Sequence, residues 1–316
     1  MVFLHRLAVL TSVATWVLIW AGGLVTSTGS GLAVPDWPLS YGMLMPPLVG
    51  GILYEHSHRM VASLVGVLTT VLAIWLWRAE DRRWLRRLGF VALAMVILQG
   101  VLGGITVLYL LPTSISVSHA TLAQTFFCLT VLIAFATSSE WREALPSADS
   151  SRPSLRLVAG LATLAVYLQL ILGALMRHTG AGLAIPDFPL AFGRLIPPLS
   201  SGPVAIHFLH RLGAVAVAGS TAWLITRIAR AHRQDRRFAR PAMALAFLVV
   251  AQVLLGGATV WTQKAVLPAT AHVAGGALLL ATVWLITLRA QRHLQVQTGP
   301  VVPALPLQES REVLSR

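Results

Sequence analysis

The chain has 316 residues, of which 56% are hydrophobic and only 11% charged. A soluble domain of that length carries far more charge, and the apolar residues here come in blocks long enough to cross a bilayer, whose core of about 30 Å takes about 20 helical residues. The formal net charge of +13 raises the question of nucleic acid, but the basic residues lie between the apolar blocks, so the excess sets topology and requires no nucleic-acid partner.

The first block follows the short segment Met1 to Arg6 and runs past Trp20 with no small-residue cleavage pattern, so it is read as a retained helix. Apolar blocks at roughly 7–27, 57–77, 88–110, 117–137, 156–177, 205–227, 241–262 and 269–288 predict eight crossings. Clusters of arginine follow every second block, beginning with Arg78, Arg142, Arg227 and Arg289, and with Arg6 they hold 19 of the 24 Lys and Arg. By the positive-inside rule that side is cytoplasmic, which puts both termini inside and the alternate loops outside the cell membrane. The one cysteine, Cys128, lies inside the fourth block, so the chain can build neither a disulfide nor a Cys-rich metal site.

An internal repeat organises these blocks. Residues 28–48, TGSGLAVPDWPLSYGMLMPPL, match residues 179–199, TGAGLAIPDFPLAFGRLIPPL, at a constant offset of 151. His58-Arg59 recurs as His210-Arg211, Gln99 as Gln252, Gly103-Gly104 as Gly256-Gly257, and His119 as His272. Each copy holds an even number of spans, so the copies share one orientation and are related by an axis along the membrane normal. The expected fold is an all-α integral membrane protein of two tandem four-helix bundles with pseudo-two-fold symmetry. Its parts are residues 1–138, a linker at 139–155, residues 156–290 and a cytoplasmic tail at 291–316. The linker and tail are expected to be loosely ordered.

Four histidines, His58, His119, His210 and His272, start the even-numbered spans at similar depth on the outer side. Ionisable side chains inside a membrane are costly and mark sites. Within each half, two such helices run inward from one face, so a bundle can oppose their imidazoles across its core, the arrangement that haem iron takes with two axial histidines. A structural hydrogen bond between helices is the alternative for a single histidine, and copper or zinc the lesser alternative for the pair. Glycines around these positions, Gly103-Gly104, Gly256-Gly257 and Gly275-Gly276, suit either close helix packing or the face of a macrocycle. Arg59 and Arg211 stand where a propionate would emerge, unless they simply reach for lipid headgroups. The copies differ at one acid: Glu55 precedes His58 by three residues and so shares its helix face, whereas His207 holds that place before His210. That difference suggests proton chemistry in the first half and a stable redox centre in the second, with a carboxylate favoured by the helix N-terminus as the alternative for Glu55. Asp36 and Asp187 lie in the proline-stiffened loops, read as lids. His5, His232 and His293 are expected to be solvated at the cytoplasmic side, and His56, His178 and His207 to be secondary polar contacts.

At these residues the chain resembles the haem A synthase family over about residues 7–288, on Glu55-x-x-His58-Arg59, His207-x-x-His210-Arg211, His119, His272 and the TGSGLAVPDWPL loop. The resemblance implies an oxidoreductase that converts a methyl group of haem O into the formyl group of haem A for terminal oxidases. It implies that His58 and His119 bracket the substrate haem, that Glu55 is important to catalysis, and that His210 and His272 ligate the iron of a haem b cofactor. The partners implied are haem O, the enzyme that produces it, an electron donor of unknown identity and the lipid bilayer, with homo-oligomerisation left open. One departure stands out: Val34 and Ser40 occupy the places where the family commonly carries paired cysteines, and the second loop has none either, so a thiol relay is excluded here. A haem b electron-transfer cytochrome and a haem carrier are the competing readings.

Overall fold

A computed structural model describes residues 2–144, 146–149 and 152–296. Nearly all of them are helical: α1 (Val2–Ser27), α2 (Gly50–Ala79), α3 (Arg83–Leu108), α4 (Thr113–Thr137), the one-turn α5 (Ser139–Arg142), α6 (Leu155–His178), α7 (Gly202–Ala231), α8 (Arg236–Trp261) and α9 (Val266–His293). Among the described residues, all of these except α5 are long and apolar enough to cross a membrane, which makes the chain an all-α multi-pass membrane protein. At about 1.5 Å per residue they reach roughly 36–45 Å, so several turns stand clear of the hydrocarbon.

That surplus corrects the reading of the spans. α2 starts at Gly50, well before its apolar block at 57, because its first turns carry Tyr54, Glu55 and His56, which hydropathy leaves out, and α7 starts at Gly202, three residues before its block. His58 and His210 therefore lie two turns inside their helices, and His119 and His272 nearly two turns inside α4 and α9. A polar residue in an opening helical turn is stable if its hydrogen bonds are made, and the outer loops make them, as the site geometry shows below.

The packed core sits toward the arginine-rich end. One cluster joins Leu4, Leu72, Leu76, Leu85 and Ile133 among the first four helices; another joins Leu155, Leu224, Phe238, Leu245 and Leu280 among the last four. A third, of Ile19, Phe127 and Ala277, lies between them. The two sets of helices meet reciprocally, α1 against α9 and α4 against α6, with α4 touching α9 across the centre. Trp16 Nε1 donates to the Ala274 carbonyl at 3.0 Å and Trp284 Nε1 to that of Cys128 at 3.0 Å, fixing this seam. In lipid such packing acts through close contact and hydrogen bonds rather than through expulsion of water. Outward-facing Val67, Phe247, Val250 and Leu254 are exposed, as lipid-facing positions should be.

The arginine-rich end is more ordered than expected. Glu140, on α5, accepts from Arg289 Nε and Nη2 at 2.8 Å each and lies 3.2 Å from His293 Nε2. Residues Ser147–Asp149 pair in parallel with Leu294–Val296, and the Asp149 carboxylate accepts the Leu155 N–H at 2.8 Å. Acids in the linker thus neutralise basic helix ends, which gives part of segment 139–155 a fixed course. The tail from 297 onward lies outside the described residues. His293, expected in solvent, is only 1% exposed and wedged between Glu140 and Arg237, and His5 Nδ1 donates to the Ala134 carbonyl at 3.0 Å. His232 lies 3.7 Å from Asp149, itself buried.

Candidate functional site

The outer ends of the helices are built differently from the core. Four imidazoles lie there, each against a glycine of the preceding membrane helix. A Cβ at Gly22 would stand 3.1 Å from His58 Cε1, and one at Gly173 3.0 Å from His210 Cε1, close enough that the ring would have to give way; Gly103 and Gly256 meet His119 and His272 at 3.4 Å. The small residues therefore let the helices close on the rings. The sequence reading found Gly103 and Gly256 but missed Gly22 and Gly173, although these two also recur at the offset of 151.

All four histidines are half-buried, and none of their Nε2 atoms makes a hydrogen bond among the described residues. His210 and His272 face one another edge to face, ring centres 6.4 Å apart at an interplanar angle of 76°. Two axial bonds of about 2 Å, with roughly 1 Å from each bonding nitrogen to its ring centre, come to about 6 Å, so the spacing fits an iron held between two imidazoles. A site for zinc or copper would need further donors. Among the described residues no three His, Cys, Asp or Glu gather as a metal site.

Each outer loop folds back on its bundle in the same way. Asp36 accepts the N–H groups of Tyr41 and Gly42 at 2.6 and 2.8 Å, and Asp187 those of Phe192 and Gly193 at 2.7 and 2.8 Å. The turns so latched, Tyr41-Gly42 and Phe192-Gly193, have positive φ at both residues, which is the geometry of a tight type I′ hairpin. The hydrogen bonds from Gly42 and Gly193 head the causes that hold both aspartates below the ordinary carboxylate value of 3.8. Between the two prolines of each loop an aromatic ring lies on a glycine: a Cβ at Gly104 would be 2.6 Å from Trp37, and one at Gly257 2.9 Å from Phe188.

Arg59 and Arg211 tie these loops to the helices. Arg59 donates to the carbonyls of Asp36 and Leu39 at 2.8 Å and Val34 at 3.2 Å, and pairs with Glu55 at 2.7 Å. Arg211 donates to Leu190 at 2.7 Å and Asp187 at 2.6 Å. Glu55 is 3% exposed, its second oxygen accepting the Val34 N–H at 2.8 Å. Ser40, at the other family cysteine position, contacts His56 Nδ1 at 2.9 Å; the second loop replaces this polar pair with Ala191 and Phe208, which join an apolar cluster. The His178 carbonyl accepts from Thr113 Oγ1 at 3.3 Å.

The two sites share a wall. Gly22 backs onto His58, while the next residue, Gly23, backs onto Val273 and Thr270 beside His272, where a Cβ would be 3.3 Å from Val273. Arg177, reaching over from α6, donates to the Gly23 carbonyl at 2.9 Å and to Ser27 at 2.7 Å.

Comparison with known proteins agrees with this architecture. A family model described as a cytochrome oxidase assembly protein, COX15-CtaA, matches residues 5–284. A protein of Symbiobacterium thermophilum named Heme A synthase is 36% identical over 257 residues, covering 78% of this chain and 81% of its own length. Proteins of the same name are 32% identical in Alkalihalophilus pseudofirmus, over 82% of this chain and 87% of that protein, and 32% identical in Halalkalibacterium halodurans, over 90% and 96%.

Proposed function

This chain belongs to the COX15-CtaA family of cytochrome oxidase assembly proteins, and from that premise we infer that it is a haem A synthase, an enzyme of haem A biosynthesis acting on haem O. The reaction is an oxidation: one methyl group of haem O becomes a formyl group, with dioxygen as oxidant and electrons from a donor still to be identified. The observation that supports it best is the duplicated histidine pair, whose spacing at His210 and His272 suits an iron porphyrin.

In this reading residues 1–138 take the substrate and residues 156–290 the cofactor. His58 and His119 would grip haem O by its iron and so fix the plane of the ring. Glu55, tied to Arg59 and the loop, is the acid through which a proton moves or the reacting group is positioned. His210 and His272 would hold the iron of haem b, which when bound would supply one-electron redox chemistry. Arg59 and Arg211 would act on the bound groups indirectly, by clamping the loop that closes the end of each half. The arginine-rich ends face the cytoplasm and the histidine ends the outside, with both termini inside. The bilayer is the solvent, and the enzyme that makes haem O is the natural neighbour, alone or with further copies of this chain.

The test is expression with a source of haem O and identification of the extracted pigments by mass. Haem A should form, and H58A or H119A should abolish it while leaving the haem b spectrum intact. Two permanent haem b groups with no haem A would favour an electron-transfer cytochrome, and unmodified porphyrin passing through would favour a carrier. If H210A or H272A spared the haem b spectrum, the assignment of the halves would fail.

A further inference from the structure

The two histidine pairs are held differently. In the second half Gln169, from α6, brings its amide nitrogen to 3.1 Å from His210 Nδ1 and 2.8 Å from the His210 carbonyl. Gln252, from α8, does the same for His272 when its amide nitrogen faces α9, the orientation that satisfies both its ends: 3.2 Å to Nδ1, 2.9 Å to the carbonyl, and its oxygen accepting from Gly276. Each amide sits in a notch made by a glycine three residues after the histidine, Gly213 and Gly275, where any side chain would collide with it. Residues three apart share a helix face, so the notch lies directly beside the ring.

The first half lacks this arrangement. Leu18 stands in place of Gln169 and Val61 in place of Gly213; Gln99 is kept, but Leu122 replaces Gly275. Gln99 reaches the His119 carbonyl at 2.9 Å yet not its Nδ1. Among the described residues, no side chain hydrogen-bonds the buried Nδ1 atoms of His58 and His119, which have only the backbone of Leu18 and Gln99 toward them. Three of these four positions therefore differ between the copies, all in one direction, giving the second pair side-chain braces and denying them to the first.

We propose that Gln169 and Gln252, seated against Gly213 and Gly275, are positioning residues that lock the ligand rings of the second half so that its haem is permanent, while the unbraced His58 and His119 let the first half exchange its haem. A hydrogen bond to the non-ligating nitrogen fixes a ring's orientation and tautomer, and loss of such a contact costs about 10- to 100-fold in metal affinity. A substrate site must release its product after each turnover, and a ring without a side-chain brace can tilt to do so. The inference rests on the haem b assignment above.

The purified, haem-loaded full-length protein provides the test. The double substitution Gln169→Leu with Gly213→Val copies the first half's own packing. It should speed transfer of haem b to apomyoglobin about tenfold or more and broaden the low-spin electron paramagnetic resonance signal, as ring planes lose definition. The reverse pair in the first half, Leu18→Gln with Val61→Gly, should slow the loss of haem from that half, and it decides the matter if the first variant fails to assemble. Unchanged transfer rate and signal in the first variant, or unchanged exchange in the second, would overturn the brace. Absence of any His210-dependent haem in the unaltered protein would instead sink the cofactor assignment itself, so the two failures are distinct.

Discussion

Glu55 and His207, an acid and an imidazole at equivalent places in the two halves, accept the same hydrogen bond: Glu55 from the N–H of Val34 at 2.8 Å, His207 from that of Ile185 at 3.2 Å. Anchoring the loop therefore does not explain why the first half uses a carboxylate, since an imidazole does that work next door. Replacing Glu55 by His should keep the loop seated and the haem b spectrum intact while lowering haem A formation on the order of 100-fold, the usual worth of a positioned acid or base. Turnover of E55H close to that of the unaltered enzyme would reduce Glu55 to a loop anchor.

The glycines facing the imidazoles offer a way to disturb one half at a time. Gly173→Ala adds a methyl 3.0 Å from His210 Cε1, and Gly22→Ala one at 3.1 Å from His58 Cε1. Overpacking of this kind costs about 1–3 kcal/mol when the neighbour must shift. G173A should change the haem b absorption bands and weaken haem retention. G22A should leave those bands alone and depress conversion of haem O. The same spectral change in both would show that the halves do not divide as assigned.

Arg59 and Arg211 are planar forks serving several loop carbonyls at once, which an ammonium on a flexible stem cannot reproduce. R59K and R211K should keep the charge and still loosen the loops. Amide hydrogen exchange over residues 34–43 in the first variant and 185–194 in the second should rise, with no change elsewhere in the chain. Protection equal to that of the unaltered protein would mean that Asp36 and Asp187 alone hold the turns.

Those aspartates give the loops a dependence on pH. Each carboxyl titrates below 3.8, held there first by the N–H of Gly42 or Gly193. A depressed value in the folded state means that the latch contributes fully above the unfolded value and is lost as pH falls through the folded one. Proteolytic cutting in the loops, followed with an acid protease, should therefore stay flat across neutral pH and rise only below about pH 4. D36N and D187N should remove that acid step in their own loop and not in the other.

Much of this was legible in the sequence. The eight apolar blocks, the repeat at 151 residues and the four histidines follow from composition and spacing, because hydropathy and recurrence are local properties of a chain. What escaped depends on folding back. Arg59 reads locally as a cation near a headgroup or propionate, whereas its partners lie 20 to 25 residues earlier, in a loop whose course no periodicity encodes. Gln169 sits in an apolar block as an isolated amide, and only its contact with His210 across two helices gives it meaning. The early start of α2 was hidden for a related reason: Glu55 and His56 look like loop residues until the loop that satisfies them is seen.

The partition between the two histidine pairs is a single turn of α1, with Gly22 turned to one and Gly23 to the other. A party wall so thin still keeps the two rooms apart: bulk at Gly22 presses on His58, and bulk at Gly23 on the flank of His272. Cut from the chain, the second half would lose the stretch of α1 that packs on Val273 and Thr270 beside His272, and with it one side of its own site.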